Sequence, residues 1–158
     1  MANKDLRDWI NELEANEQLQ HVSGADHHEE IGAIVDIHMH KMTNPAVMFD
    51  DIPGFPKGNR VLANILTSVP RINIALGKPV DTSEIELVNY WREYMKDQPT
   101  HPPVEVNGGP LIENVFEGDD IDITTIPAPK WHELDGGYFI GTACMVVMKD
   151  PDSGWINY

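Results

Sequence analysis

The sequence predicts an α+β fold: an N-terminal α/β region followed by the opening strands of an antiparallel β domain. Three observations carry this prediction. Amphipathic helical stripes occur only before the Pro/Gly-rich stretch QPTHPPVEVNGGP, two short apolar runs of strand length lie between those helices, and the chain closes on a strand–turn–strand signature. With 158 residues and 41% hydrophobic content, there is enough apolar mass for one core and no room for two domains of ordinary size.

The opening DLRDWINELEANEQL sets Leu6, Trp9, Ile10 and Leu13 at i, i+3, i+4 and i+7, one stripe of an amphipathic helix with acidic residues in its first turn. HEEIGAIVDIHMHK repeats the pattern with Ile31, Ile34, Val35 and His38, and Asp26 is the candidate cap ahead of it. After the break at Thr43-Asn44-Pro45, AVMFDDI and VLANILTS flank the turn-rich PGFPKGN, which predicts a β-pair. SVPRINIALGKP reads as a short helix started at Ser68, with Pro70 in its first turn and Gly77 at its end. Ser83 and Glu86 form a capping box that opens SEIELVNYWREYMKDQ, whose Ile85, Val88 and Tyr94 are expected to point inward.

The aperiodic QPTHPPVEVNGGP marks a connection, giving a division into an N-terminal unit (residues 1–97), a Pro/Gly-rich link (98–109) and a β region (110–158). In the last of these, LIENVF is a predicted short strand, GDDIDITTIPAPKWHELDGG is mostly loop and YFIGTACMVVMKD is a long strand. PDSG then turns the chain into WINY. The predicted final strand has no further partner, so the chain reads as the start of a β domain with an edge left open at Tyr158.

Charge and composition exclude several functions. Eleven Lys+Arg against 26 Asp+Glu leave a net charge of −15 with no clustering of the basic residues, which disfavours nucleic acids and anionic membranes as partners. The single Cys144 rules out an intramolecular disulfide framework and fits a reducing compartment. MANKDLRDWI carries charges where a secretory leader needs apolar residues, and the longest apolar run, Ala143 to Met148, is far too short to span a bilayer. A cytoplasmic location is expected. The dinucleotide, P-loop, zincin and nucleophile-elbow fingerprints do not occur.

Individual polar residues weigh towards structural roles. His38 and His40 stand two apart on a predicted helix and so point in different directions, which favours an ordinary amphipathic helix over a shared metal. His27 and His28 flank a helix start, where a surface role is favoured over ligation. Trp131-His132-Glu133 lies in a loop before the long strand, where a structural anchor is favoured over catalysis.

Taken together, DLRDWINELEANEQLQHV, HEEIGAI, AVMFDDIPGFPKGNRVLANIL and above all DGGYFIGTACMVVMKDPDSGWIN resemble the N-terminal portion of the UbiD-type decarboxylases. The compound DGG–strand–DPDSG–W-I-N succession is the most specific part of the likeness. The resemblance implies that residues 110–158 begin a flavin-binding split β-barrel, and that the complete enzyme carries prenylated FMN, Mn²⁺ and K⁺. It implies further that such an enzyme adds or removes carboxyl groups on aromatic, heteroaromatic or α,β-unsaturated acids, and that it assembles as a homo-oligomer. Residue by residue, Asn157 matches a metal ligand whose amide oxygen holds the Mn²⁺ that also touches the flavin phosphate. Trp155 matches a position whose carbonyl helps to hold K⁺, and Thr142 a cofactor-proximal position. The family's following Arg, its metal-ligating His and Glu, and its Glu-Arg-Glu acid–base set match nothing in this sequence. The chain is therefore expected to be an inactive N-terminal piece of such an enzyme. The alternatives are an acidic subunit of a split enzyme, completed by a partner chain through strand addition, and an unrelated small-molecule binding module.

Overall fold

A computed structural model of the chain describes residues 5–99, 101–141 and 144–158. Asp5 starts the first helix, α1 (Leu6–Ala15), by accepting hydrogen bonds from the Arg7 and Asp8 amides at 2.8 and 3.0 Å, two donors that the helix itself leaves unpaired. Trp9 and Leu13 of the predicted stripe are buried and Ile10 is half-buried, whereas Leu6 stays exposed in the first turn. The helix stops short of the predicted Leu19. Glu17 adopts a left-handed φ of 55°, and Leu19–Ser23 becomes a strand, β1, that the helical pattern did not predict.

That strand changes the topology. β1 pairs in parallel with β2 (Ala46–Asp50), from Leu19↔Ala46 to Ser23↔Asp50, and the connection between them is helix α2 (Glu30–Met39). Parallel neighbours need a crossover of this kind, so β1, α2 and β2 form one unit. The predicted β-pair is present on the other side, where β2 runs antiparallel to β3 (Val61–Ala63) and gives a sheet of order β1-β2-β3. Asp26 is not the cap of α2. The residue before the helix is Glu29, left-handed at φ 73°, while the Asp26 carboxylate accepts the His28 amide at 2.8 Å and the Asp26 amide donates to Glu30 at 2.8 Å.

The central strand explains the core. Ala46, Val47, Met48 and Phe49 are all buried, as expected for a strand covered on both faces. Val47 and Phe49 pack with Ile31 and Val35 of α2 and with Ala25, Ile52 and Ala63. Ala46 joins Trp9 and Leu13 of α1 and Ile74 of α3 (Val69–Ala75) in a second cluster. Helices thus sandwich the sheet, and each fully buried aliphatic or aromatic side chain contributes about 1.5–3 kcal/mol. α3 starts at Ser68 with Pro70 in its first turn and is followed by Gly77 at φ 65°, as predicted.

Helix α4 (Glu84–Tyr94) has the predicted capping box: the Glu86 amide donates to the Ser83 hydroxyl at 3.4 Å, and the Ser83 amide donates to the Glu86 carboxylate at 3.0 Å. Its predicted inward face is wrong. Ile85 and Val88 are 66% and 60% exposed and Tyr94 is 43% exposed, and the half-buried side is instead the one carrying Leu87 and Tyr90, where the Lys78 ammonium lies 3.3 Å from the Tyr90 ring centre. A helical stripe shows which face is able to pack, but tertiary context decides what it packs against.

Beyond α4 the chain is largely irregular. Residues 101–109 are exposed and aperiodic. The predicted strand LIENVF is instead a turn of 3₁₀ helix at Pro110–Ile112, followed by exposed Val115 and Phe116. Residues 128–139 then return as a strap across the start of α2. The Lys130 amide donates to the His27 carbonyl and the Glu29 amide to the Lys130 carbonyl, both at 2.9 Å, forming a single parallel bridge. The predicted long strand YFIGTACMVVMKD is reduced, among the described residues, to β4 (Met148–Lys149), paired antiparallel with β5 (Ile156–Asn157). Strand propensity alone cannot form a strand without a hydrogen-bonded neighbour, and two-residue β5 is all that the described chain supplies. Among the described residues, no helix is long and apolar enough to cross a membrane.

Candidate functional site

The β4–β5 hairpin carries two of the three residues singled out by sequence, and its turn is tightly organised. The Asp150 carboxylate accepts hydrogen bonds from the amides of Asp152 and Ser153 at 3.0 and 2.6 Å and from the Ser153 hydroxyl at 2.8 Å. These donors, the Ser153 amide above all, hold the Asp150 carboxyl below the usual carboxylate range. Gly154 closes the turn at φ 72°, a conformation open to glycine at little cost, and its amide donates to the Asp150 carbonyl at 3.0 Å.

Trp155 immediately precedes β5 and Asn157 ends it, two residues apart, with Met148 directly across the ladder from Asn157. All three are exposed. The Trp155 carbonyl accepts the Asp150 amide at 2.8 Å, which uses one of its two lone pairs and leaves the other for a further donor or a cation. Thr142 lies outside the described residues.

The donor chemistry fits part of a hard-cation shell. The Asn157 amide and the Trp155 carbonyl are neutral oxygen donors of the kind that Mn²⁺ and K⁺ accept. Among the described residues, no group of three or more His, Cys, Asp or Glu side chains converges to hold a metal ion. The hairpin can supply one or two ligands, and the remaining ligands have to come from a cofactor phosphate, water or other protein residues. Two concavities, of about 540 and 350 Å³, open elsewhere, between α1 and the loops around residues 56–60 and 125–127, and beside the strap against His27, Phe55 and Tyr138; neither is lined by Trp155 or Asn157.

The other flagged residues take structural places. Trp131 packs on the outside of the cluster beneath α2, and its backbone lies so close to Gly32 that a Cβ there would collide with it. His132 is exposed, 3.7 Å from Asp135. His27, expected on the surface, is half-buried, stacked on Tyr138 at 5.1 Å and edge-on to Phe55 at 4.9 Å. His38 is buried, with Nδ1 2.7 Å from the Ile34 carbonyl and Nε2 3.0 Å from Gln20, while Nδ1 of His40 lies 2.7 Å from the Asp36 carbonyl.

Sequence reasoning missed Lys130 and Glu29. The Lys130 Nζ, in a side chain only 16% exposed, donates to Glu29 and to the Glu133 carbonyl, each at 2.8 Å. The pairing lowers the Glu29 pKa and raises that of Lys130. Nothing in a sequence links residues so far apart. The only hint was that Lys130 adjoins Trp131.

Comparison with known proteins adds the context. Residues 10–91 match the 3-octaprenyl-4-hydroxybenzoate carboxy-lyase N-terminal domain, and residues 103–158 match the Rift-related domain of the same carboxy-lyase. The pyrrole-2-carboxylic acid decarboxylase of Pseudomonas aeruginosa is 31% identical over 98% of this chain and 32% of its own length. Ferulic acid decarboxylase 1 of Saccharomyces cerevisiae is 25% identical over 98% of the chain and 32% of its length. The closed form of the vanillic acid decarboxylase of Sedimentibacter hydroxybenzoicus superposes with a TM-score of 0.81 at 29% identity, covering 96% of this chain and 32% of that one. The chain thus spans about a third of the length of the curated relatives it matches.

Proposed function

Because the chain belongs to the UbiD family of carboxy-lyases, we propose that it provides the N-terminal third of a decarboxylase acting reversibly on aromatic, heteroaromatic or α,β-unsaturated carboxylic acids. The observation that carries this reading is the succession of both family domains along one chain, with relatives that are decarboxylases of aromatic acids. In this reading residues 1–97 form the N-terminal unit, 98–109 the link, and 110–158 the first strands of a flavin-binding split β-barrel that further strands complete. The complete assembly is cytoplasmic and homo-oligomeric.

Three residues of the chain serve the cofactor. Asn157 would offer its amide oxygen to Mn²⁺ and Trp155 its second carbonyl lone pair to K⁺, and Thr142 matches a position that is cofactor-proximal in the family. A cation held there would supply charge that carboxylates need not then provide. When bound, prenylated FMN supplies the electron sink into which the carbon–carboxyl bond electrons pass as CO₂ leaves. The hairpin's part is to hold and orient. The Asp150-centred turn fixes the angle at which β5 leaves it, and Met148 stands beside the Asn157 amide across the ladder. No acid–base residue of the reaction is assigned to this chain.

The open hairpin edge and the exposed apolar residues Val146, Val147, Met148, Trp155 and Ile156 also suit a second reading, in which a separate chain completes the barrel. The 158-residue chain is compared alone, mixed with a separately expressed C-terminal two-thirds of the Pseudomonas aeruginosa relative, and fused to it, each with prenylated FMN and Mn²⁺. CO₂ release from pyrrole-2-carboxylate and from ferulic acid is then measured. The expected result is turnover by the fusion and none by the chain alone; turnover on mixing supports the two-chain reading. Turnover by the isolated chain, or a folded fusion inactive on both acids, contradicts the proposal.

A further inference from the structure

The contacts around Lys130 hold together the two stretches that match separate family domains. On one side stand His27, His28 and Glu29, just ahead of α2 and inside the span of the N-terminal domain match. On the other stands the strap, inside the Rift-related match. Two backbone hydrogen bonds of 2.9 Å form the bridge, and the Lys130 ammonium locks it from the side, binding Glu29 and the Glu133 carbonyl at 2.8 Å each. Further along, Tyr138 stacks on His27, its hydroxyl lies 3.0 Å from Nδ1 of His28, and the Phe139 amide turns back to the Pro129 carbonyl at 3.0 Å. The chain then runs on from the strap to the β4–β5 hairpin.

The geometry points to Glu29 and Lys130 as a positioning latch: their ion pair clamps the strap to the start of α2 and thereby sets where the Asn157-bearing hairpin stands relative to the N-terminal unit. The inference rests on the cofactor reading above for its consequence, but not for the latch itself. Lys130 is suited to this place because a single compact ammonium can serve a carboxylate on one stretch and a carbonyl on the other, closing the strap as a loop around itself. The pair is also local. The bridge hydrogen bonds lie outside the sheet, so releasing them leaves the β1–β2–β3 ladder intact.

Hydrogen exchange on the 158-residue chain tests the latch by itself, using Lys130→Met, Glu29→Gln and the charge-keeping Lys130→Arg. The expected result is that the Glu29, Lys130 and Phe139 amides exchange about tenfold faster in the Met and Gln variants, with protection recovered in the Arg variant and the β2 amides unchanged in all three. Unchanged strap protection in the Met variant overturns the latch. So does equal acceleration in β2, which marks general destabilisation. The same substitutions in the fusion with the Pseudomonas aeruginosa two-thirds test the consequence: bound flavin and Mn are expected to fall severalfold in the Met variant and recover in the Arg variant. Undiminished flavin and Mn there, with the strap released, overturn the link to the site while the latch stands. A wild-type fusion that holds no flavin contradicts the cofactor reading and that link together, and leaves the exchange result to decide the latch.

Discussion

His21 stands between two carboxylates, Nδ1 2.7 Å from Asp50 and Nε2 3.1 Å from Glu14, and so ties the end of α1 to the end of β2. Hydrogen bonds to Asp50 first and Glu14 second raise its pKa above the ordinary value of about 6.5. A raised folded-state pKa means that the stabilisation is fully present below the unfolded value and is lost as the pH climbs through the folded one. His21→Gln is therefore expected to lower stability near pH 6 and to have little effect near pH 9. All three groups are partly solvent-exposed, so the difference belongs in the range of exposed pairs, about 0.2–1 kcal/mol. Urea titrations at the two pH values read it, and a larger loss at pH 9 than at pH 6 contradicts the assignment. Trp9 is a residue of the opposite kind, 7% exposed and packed with Leu13, Ala46 and Ile74. Trp9→Ala is expected to cost about 3–5 kcal/mol in denaturant unfolding. A cost below about 1 kcal/mol contradicts the packing described, because that is the range of surface substitutions.

Among the elements, α2 and the strap test each other at Gly32. Replacing a helical glycine by alanine ordinarily stabilises by about 1 kcal/mol through helix propensity. Here a Cβ meets the Trp131 backbone, which is itself held by the Lys130 bridge, so the clash outweighs propensity. Gly32→Ala is expected to destabilise by about 1–3 kcal/mol and to shift the Trp131 fluorescence as the strap lifts. A stabilised variant with unchanged fluorescence contradicts the docking. How legible each element was in the sequence follows from how local its determinants are. The capping box at Ser83, the DPDSG turn, the start of α3 ahead of Pro70 and the spacing of the α1 stripe were readable because each signal is complete within a few neighbouring residues. β1 was not, because LQHVS continues an acidic helix in pattern and becomes a strand only through its register with β2. The inward face of α4 and the length of β4 were misread because both depend on what lies against them.

For the whole molecule, the N-terminal unit is a closed fold with helices on both faces of its sheet, whereas the region carrying the candidate site is largely open, with nearly all of its apolar residues exposed. One buried charge shows where sequence reading fails at this scale. Arg71 is fully buried and donates to the Ile65 and Asn44 carbonyls and to the Thr67 hydroxyl at 3.1, 2.5 and 2.7 Å, a cage assembled from two loops that no periodicity announces. The hairpin that carries Asn157 was legible for a different reason. The succession of turn and strand residues around Asn157 is compact enough to match a family, while the docking of the strap on the start of α2 is visible only in three dimensions.

Under the proposed function Asn157 is a metal ligand of a flavin-dependent decarboxylase, and Asn157→Leu in the fusion with the Pseudomonas aeruginosa two-thirds removes that ligand alone. Leucine keeps the volume and deletes the oxygen donor, so metal and flavin are expected to be lost together, because in the proposed site the cation and the cofactor phosphate would hold each other. Asn157→Asp retains an oxygen and is expected to lose less metal. Bound flavin is read by absorbance and Mn by elemental analysis, on protein whose unfolding midpoint matches the wild type. Joint loss in the leucine variant is the predicted result; undiminished flavin and Mn in that variant contradict the assignment.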